Sequence, residues 1–155
     1  MAKIALPAYE LITLENEVLT AYLFWSAVLV LKMLFMSLLT GLMRFRTQAF
    51  INPEDILDKR IQVKYNEPDV ERARRAHRND LENIPPFLVI GFLYVLINPN
   101  PKLAINLFRA VGISRVVHTI VYAVFVVPQP SRLLSFMVCA LATTYMAFQV
   151  ILFLL

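Results

Sequence analysis

The stretch Arg74–Phe87 reads RRAHRNDLENIPPF and concentrates charged side chains at the beginning of an apolar run. Four polar side chains within it share the helical spacing i, i+3, i+4 and i+7, which places them on one face of a helix: Arg75, Arg78, Asn79 and Glu82. Guanidinium groups bind carboxylates, while an amide and a carboxylate offer further hydrogen bonds. This face therefore predicts a site for an anionic ligand that also forms hydrogen bonds.

A second polar stripe lies in a later apolar block, where Arg115, His118 and Tyr122 are spaced at i, i+3 and i+7. If consecutive helices cross a membrane in opposite directions, the two stripes lie at a similar depth below one surface. Together they predict a basic cavity inside the membrane that admits an anionic, hydrogen-bonding ligand from the cytosol. The open side of such a cavity faces lipid, so a second, apolar ligand has a route to it.

A purely structural role is the alternative interpretation of these charges. Arginines near a membrane surface extend their side chains to the lipid headgroups, and buried pairs of Arg and Glu can fix the register of helices. For Lys32 and Arg109 the structural interpretation is favoured, and the role of Arg115 stays open. The pattern alone fits an enzyme, a carrier or a non-catalytic lipid sensor.

Composition and the length of the apolar blocks predict the elements that position the two stripes. The chain has 155 residues, of which 59% are hydrophobic; soluble domains are about 45–50% apolar. A helix needs about 20 residues to cross the hydrocarbon core of a membrane. We therefore predict one all-α domain, residues 1–155, that forms an integral membrane four-helix bundle with spans at residues 18–43, 75–97, 103–127 and 132–155 and a loop at residues 44–74.

The second span is predicted to begin within the charged stretch. Its apolar part, from Asn83 to Ile97, covers only about 22 Å at 1.5 Å per residue, which is too short for a crossing. The helix must therefore start earlier and carry charged residues into the membrane interface. Pro85 and Pro86 then fall inside the helix, where proline removes hydrogen bonds and produces a kink.

The distribution of basic residues predicts the orientation. Eight Lys and Arg residues lie between Arg44 and Arg75, whereas the amino-terminal tail carries Lys3 and the NPNPK turn carries Lys102. Because cytosolic loops are enriched in Lys and Arg, we assign the basic segment to the cytosol and both termini to the other side. The net charge of +4 then reflects topology, and no nucleic-acid partner is expected. Cys139 is the single cysteine, and no ligand spacing for a metal is present, so no metal is expected.

Four segments of the sequence resemble the family of membrane-associated proteins in eicosanoid and glutathione metabolism (MAPEG). They are NPED after the first span, VERARRAHRNDLENI at the second, RVVHTIVYA in the third and PQPSR before the fourth. The resemblance extends in register from about Lys32 to the carboxyl end. It implies a homotrimer in the endoplasmic reticulum membrane, with the mitochondrial outer membrane as a second location, and glutathione bound between neighbouring subunits near the cytosolic face.

The resemblance also implies which positions bind glutathione: Arg44, Arg74, Arg75, His77, Arg78, Asn79, Glu82, His118 and Tyr122. The four arginines suit the carboxylates of the tripeptide, because a guanidinium can bind a carboxylate through two parallel hydrogen bonds. Glu82 and Asn79 would bind the amino group and the backbone amides. His77 would lie at the edge of the pocket, and His118 and Tyr122 would add hydrogen bonds from the third helix.

Arg132 and Asp55 are the catalytic residues that the resemblance implies. Glutathione brings its own nucleophile, so the protein must form a thiolate near pH 7, whereas a free cysteine thiol has a pKa of about 8.5. By resemblance, Arg132 stabilises this thiolate, and the predicted topology places it on the same side as the pocket. Asp55, within NPED, would orient Arg132 or the loop, and a simple turn residue is the alternative.

The activity that the resemblance implies is conjugation of glutathione to hydrophobic electrophiles and reduction of lipid hydroperoxides, with membrane lipids as partners. Leu133 and Phe136 stand where the prostaglandin E synthases of the family have serine and tyrosine, which favours the microsomal glutathione transferase branch. Arg78 favours the synthases, because the mammalian transferase has leucine there. A synthase-like isomerase and a non-catalytic membrane interaction protein are the alternatives.

Overall fold

The computed structural model describes residues 7–58 and 60–155, and helices make up most of this part of the chain. They are α1 (Ala8–Leu11), α2 (Glu17–Thr47), α3 (Pro68–Leu96), α4 (Pro101–Thr119) and α5 (Ser131–Leu154), with a 3-10 turn (Pro53–Asp55) in the loop after α2. The described ranges contain no strand. The prediction of an all-α membrane bundle of four long helices is confirmed. Lys3, one of the basic residues on which the predicted orientation depends, lies outside the described residues.

Among the described residues, three helical segments are long and apolar enough to cross a membrane: Glu17–Thr47, Pro101–Val124 and Ser131–Leu154. Helix α3 differs because its amino-terminal half is charged. It begins at Pro68, whereas the prediction placed its start at residue 75, since proline at the first position and the acidic Asp69 and Glu71 in the first turn favour a helix amino terminus. Both prolines, Pro85 and Pro86, lie inside this helix.

Aromatic side chains form the centre of the bundle where α2, α3 and α4 meet. The rings of Tyr22 and Phe108 have centroids 5.7 Å apart, and those of Phe87 and Phe108 are 6.1 Å apart. The hydroxyl of Tyr22 donates a hydrogen bond to the backbone oxygen of Leu88 at 2.7 Å, which satisfies the polar end of this ring within the bundle. These contacts fix α2 against the carboxyl half of α3.

A close approach of α2 to α4 depends on Gly112. A Cβ atom at this position would lie 1.9 Å from Cε3 of Trp25, so the indole ring rests directly on the α4 backbone. A real Cβ does not tolerate such a distance. Glycine is therefore required here for packing, although its backbone is ordinary helix.

The last turn of α4 widens into a π turn over Ile120–Val124. The backbone N–H of Phe125 donates to the oxygen of Ile120 at 2.7 Å and closes this turn. The predicted span reached residue 127, but the helical segment ends at Val124 and an irregular connection leads to α5. Single π turns occur frequently at functional sites, and this one carries Tyr122.

Candidate functional site

An outer groove of about 490 Å³ runs between α2 and the charged half of α3. Its lining comprises Ser37, Thr40, Glu71, Arg74, Arg75, His77, Arg78 and Leu81. Arg74 Nη1 donates to Glu71 Oε1 at 2.7 Å. Within the described residues Arg75 and Arg78 form no ion pair, and both are exposed. The groove therefore presents guanidinium groups that no acid of the described chain neutralises.

An inner cleft of about 330 Å³ lies on another side of α3, between α4 and α5. It is lined by Asn79, His118, Tyr122, Gln129, Arg132, Leu133 and Phe136. The guanidinium carbon of Arg132 lies 4.9 Å from the centroid of the Tyr122 ring, which is within the range of a cation–π contact. The His118 ring meets the same tyrosine edge-on, with centroids 5.5 Å apart. The π turn thus places one aromatic ring in contact with both a cation and an imidazole.

Two buried nitrogen atoms of the cleft residues have no hydrogen-bond partner in the described part of the chain. They are His118 Nδ1 and Arg132 Nε. Buried polar atoms in folded proteins nearly always have a partner. Since the guanidinium N–H can only donate, the cleft is suited to a ligand with hydrogen-bond acceptors, above all an anion.

Beside the cleft, a buried cluster of three charged residues joins three helices. The carboxylate of Asp80 on α3 accepts through Oδ2 from Lys32 Nζ on α2 and through Oδ1 from Arg115 Nη2 on α4. The side chains of Asp80 and Arg115 are fully buried, and that of Lys32 is 8% exposed. The structural role favoured for Lys32 fits this arrangement. Arg115 connects the cluster to one more residue, because its Nη2 also donates to Asn79 Oδ1 at 2.8 Å.

Asp80 is the residue of this region that the prediction omitted. A signal for it exists in the sequence, because α3 buries one residue per turn on a single face: Val70, Ala73, Ala76, Asp80, Ile84 and Phe87. An acid within such a stripe of small and apolar residues must be paired, since an isolated buried carboxylate is strongly unfavourable. Asp80 is absent from the predicted polar stripes because its neighbours on that face of the helix are apolar.

The structure separates the predicted site residues into two groups. Arg74, Arg75, His77 and Arg78 belong to the outer groove, and Asn79, His118, Tyr122 and Arg132 to the inner cleft. Within one chain the two predicted stripes touch through the hydrogen bond from Arg115 to Asn79. The expected single cavity is thus divided into two when one copy of the chain is considered alone.

Three further predicted residues line neither space. Arg44 lies half-buried in the last turn of α2, and Glu82 is exposed on α3. Asp55 lies in the 3-10 turn and accepts a hydrogen bond from Asn52 Nδ2 at 3.1 Å, while it forms no ion pair with Arg132. In the described chain Asp55 therefore has the contacts of a turn residue, which was the alternative to its catalytic role.

The long apolar helices define an integral membrane protein, and the basic cleft within its helical bundle is a candidate site for an anionic ligand. Comparison with known proteins gives the family: the model of the MAPEG family matches residues 22–152. The chain belongs to the MAPEG family, as the four sequence segments predicted.

Relatives named for two different activities match over three quarters of the chain or more. A prostaglandin E synthase from Bos taurus is 41% identical over 147 residues, which cover 94% of this chain and 95% of the relative. Microsomal glutathione S-transferase 1 from Homo sapiens is 42% identical over 143 residues, covering 89% of this chain and 92% of the relative. A prostaglandin E synthase from Mus musculus is 47% identical over 118 residues, or 76% of this chain and 77% of the relative. Similarity thus reaches both branches and does not separate them.

Proposed function

We propose that this protein is a membrane-bound glutathione transferase that also reduces lipid hydroperoxides, with glutathione as co-substrate. The observation that carries the proposal is the inner cleft, where the Arg132 guanidinium lies over Tyr122 and keeps a buried N–H without a partner in the described chain. A cation held in this way is suited to stabilise a thiolate. The matching transferase and synthases are consistent with a shared glutathione chemistry.

A homotrimer would unite the two groups of site residues. The outer groove lies on the surface of the single chain, and its arginines point away from the chain's own core. If this face packs against a neighbouring copy, Arg75 and Arg78 of one subunit can approach the inner cleft of the next. Such an arrangement supplies guanidinium groups for the glutathione carboxylates, Glu82 for its ammonium group and Arg132 for its sulfur.

The proposed reaction needs no nucleophile from the protein. Glutathione loses its thiol proton to solvent, the thiolate forms a bond with the electrophilic carbon of the second substrate, and the leaving group departs with its electron pair. With a hydroperoxide, the thiolate attacks the terminal oxygen, the O–O bond breaks, and the alkoxide leaves and takes a proton from solvent to become the alcohol. The sulfur keeps the transferred oxygen as a sulfenic acid. A second glutathione thiolate attacks this sulfur, which gives glutathione disulfide and releases hydroxide that is protonated to water. Arg132 acts in both cases by stabilising negative charge on sulfur before the attack.

The second substrate would arrive through the membrane. Long apolar side chains are exposed along α2 and α5: Leu31, Leu34, Leu38, Leu134, Val138 and Leu141. These faces are suited to acyl chains, because exposed apolar surface in a membrane helix contacts lipid. Hydrophobic electrophiles dissolved in the bilayer would reach the cleft beside Leu133 and Phe136, which line it at the start of α5.

A second candidate function is a glutathione-dependent isomerase. It is favoured by the relatives that are prostaglandin E synthases, one of which is 47% identical. A non-catalytic membrane interaction protein of the same fold is the third candidate. It would bind glutathione in the same place but would convert neither kind of substrate.

Purified protein in mild detergent should conjugate glutathione to 1-chloro-2,4-dinitrobenzene and should reduce a fatty-acid hydroperoxide. The conjugate and the loss of peroxide are measured in parallel with the conversion of prostaglandin H2. Conversion of the prostaglandin without conjugation would support the isomerase instead. Glutathione binding by calorimetry with no turnover of any of the three substrates would support the interaction protein, and no binding would reject all three candidates.

Arg75→Ala provides the site-directed control for this assay. Loss of a hydrogen bond to a charged group costs about 1.5–3 kcal/mol, so the affinity for glutathione should fall about ten- to hundredfold. Arg72→Ala is the matched variant, since Arg72 lies on the same helix outside the groove and pairs with Asp69. Equal affinities in the two variants would remove the outer groove from the binding site.

We also propose that the protein resides in the endoplasmic reticulum membrane with the loop between α2 and α3 in the cytosol and the termini on the luminal side. Arg60 and Lys64 are exposed in this loop. Trypsin added to sealed microsomes should therefore cut the chain there, and gel electrophoresis should show two fragments. Protection of the loop, with cleavage after permeabilisation, would place it in the lumen.

A further inference from the structure

One side chain, that of Arg115, connects the buried ion cluster to the inner cleft. It is fully buried on α4, and a single nitrogen, Nη2, donates both to Asp80 Oδ1 and to Asn79 Oδ1, the latter at 2.8 Å. Asp80 is held from the other side by Lys32. The Asp80 carboxylate thus holds the Arg115 guanidinium in place, and Lys32 on α2 holds the carboxylate.

The contact with Arg115 fixes the orientation of the Asn79 side-chain amide. A guanidinium has only donors, so the atom of the amide that faces it must be the oxygen. The amide nitrogen is then left for the inner cleft, which Asn79 lines together with His118 and Arg132. Asn79 Nδ2 makes no hydrogen bond within the described part of the chain, so its two N–H groups are available.

We propose that Arg115 and Asp80 are positioning residues that hold Asn79 as a hydrogen-bond donor toward the cleft. The cleft then selects a ligand oxygen at this point, a peptide carbonyl or a carboxylate, and rejects an ammonium group. This inference rests on the proposed function, with glutathione as the ligand. It assigns a glutathione oxygen to Asn79 and leaves the ammonium group to a carboxylate elsewhere.

Two variants of the same cluster separate orientation from charge. Arg115→Met and Lys32→Met each remove one cation and leave Asp80 with one partner. In either variant, the remaining cation and Asp80 form a neutral ion pair. Only Arg115→Met also deletes the donor that orients Asn79. If the cluster acted by attracting an anionic ligand, the two variants would weaken binding alike.

Calorimetric titration with glutathione is the measurement. Arg115→Met should weaken the affinity about five- to tenfold, the usual range for one hydrogen bond, and Lys32→Met less than threefold. Adding Asn79→Ala to Arg115→Met should lower the affinity for glutathione no further, because the effects of coupled residues are not additive. Adding Asn79→Ala to Lys32→Met should lower the affinity by as much as Asn79→Ala does in the wild-type protein. Equal losses in the two methionine variants, or additivity in both pairs, would overturn the inference.

Asn79→Asp tests the same inference should Arg115→Met fail to assemble. Aspartate keeps an acceptor for Arg115 but offers the cleft an oxygen in place of the N–H donors. It should therefore bind glutathione more weakly than Asn79→Ala does, and equal or tighter binding would reject the donor assignment.

A wild-type protein that binds no glutathione would reject the proposed function separately. The orientation of Asn79 is then decided by thermal melting of Asn79→Ala, Arg115→Met and the double variant. Non-additive shifts support the contact as an orienting one, and additive shifts overturn it.

Discussion

Asp80→Ala should lower the midpoint of thermal unfolding in detergent by roughly 6 to 20 °C. The substitution leaves the ammonium of Lys32 and the guanidinium of Arg115 buried without their shared carboxylate. Removing one partner from a buried ion pair costs about 3–5 kcal/mol, and each kcal/mol corresponds to about 2–4 °C in a protein of this size. Trp25, packed on Gly112 between α2 and α4, is a fluorescent reporter of this unfolding.

Asp69→Ala is the matched control for that experiment. Asp69 lies on the same helix and pairs with Arg72 at 2.9 Å, but its side chain is 52% exposed. Exposed pairs contribute little, so the midpoint should move by no more than a few degrees. Replacing all three cluster residues by apolar ones (Lys32→Met, Asp80→Leu and Arg115→Met) should recover much of the lost stability, because no charge then remains unpaired. A midpoint for Asp80→Ala equal to that of wild type would show that the two cations do not depend on this carboxylate.

Arg132→Leu should lower the rate of conjugation at pH 7 by about a hundredfold. If the guanidinium stabilises the thiolate of bound glutathione, it depresses the pKa of that thiol, and its removal lets the pKa rise. A rise of about two units corresponds to roughly 2.7 kcal/mol. The thiolate is the reactive form, so the deficit should be largest at low pH and should shrink as the pH approaches the raised pKa.

The measurement follows thiolate absorbance near 240 nm and the rate of conjugation across pH in wild type and variant. Glutathione affinity should change less than the rate, because the carboxylates are bound by the outer groove in the proposed complex. Arg46→Leu is the control, since Arg46 is an exposed arginine in the last turn of α2 and lines neither space. A pH profile for Arg132→Leu that overlays that of wild type would remove Arg132 from the chemistry and direct attention to Tyr122.

The helices were predictable because long apolar blocks leave a membrane protein few alternatives. The start of α3 was misplaced since its first two turns are as charged as a loop, yet Pro68 and the ion pairs Arg72–Asp69 and Arg74–Glu71 support a helix there. Helical stripes located polar residues correctly on their helices. They could not show that Arg75 and Arg78 point away from the bundle. Spacing shows that residues share one face of a helix, but it does not show whether that face is turned toward the bundle or away from it.

The local geometry at the cleft could not be predicted from the sequence, for a different reason. His118 and Tyr122 are in contact although the helix changes from α to π between them. Their spacing of four residues does not predict this change of helix type. The buried pairing of Asp80 requires knowledge of which residues on α2 and α4 lie opposite it. The pairing of Asp80 thus depends on packing between helices that are distant in the sequence, whereas the His118–Tyr122 contact depends on a local change of helix type.

The charged cluster also has a consequence for how the chain enters a membrane during its synthesis. Lys32, Asp80 and Arg115 belong to three successive long helices, and each alone in lipid costs about 2.5–3.5 kcal/mol on insertion scales. Helix α2 emerges from the ribosome first and is apolar enough to insert with its lysine unpaired. The less apolar α3 then enters a bilayer that already holds Lys32 as the counter-ion for Asp80. Helix α4 in turn enters a bilayer that already holds this carboxylate for Arg115. Each helix therefore lowers the free-energy cost of placing the charge of the next one in the membrane.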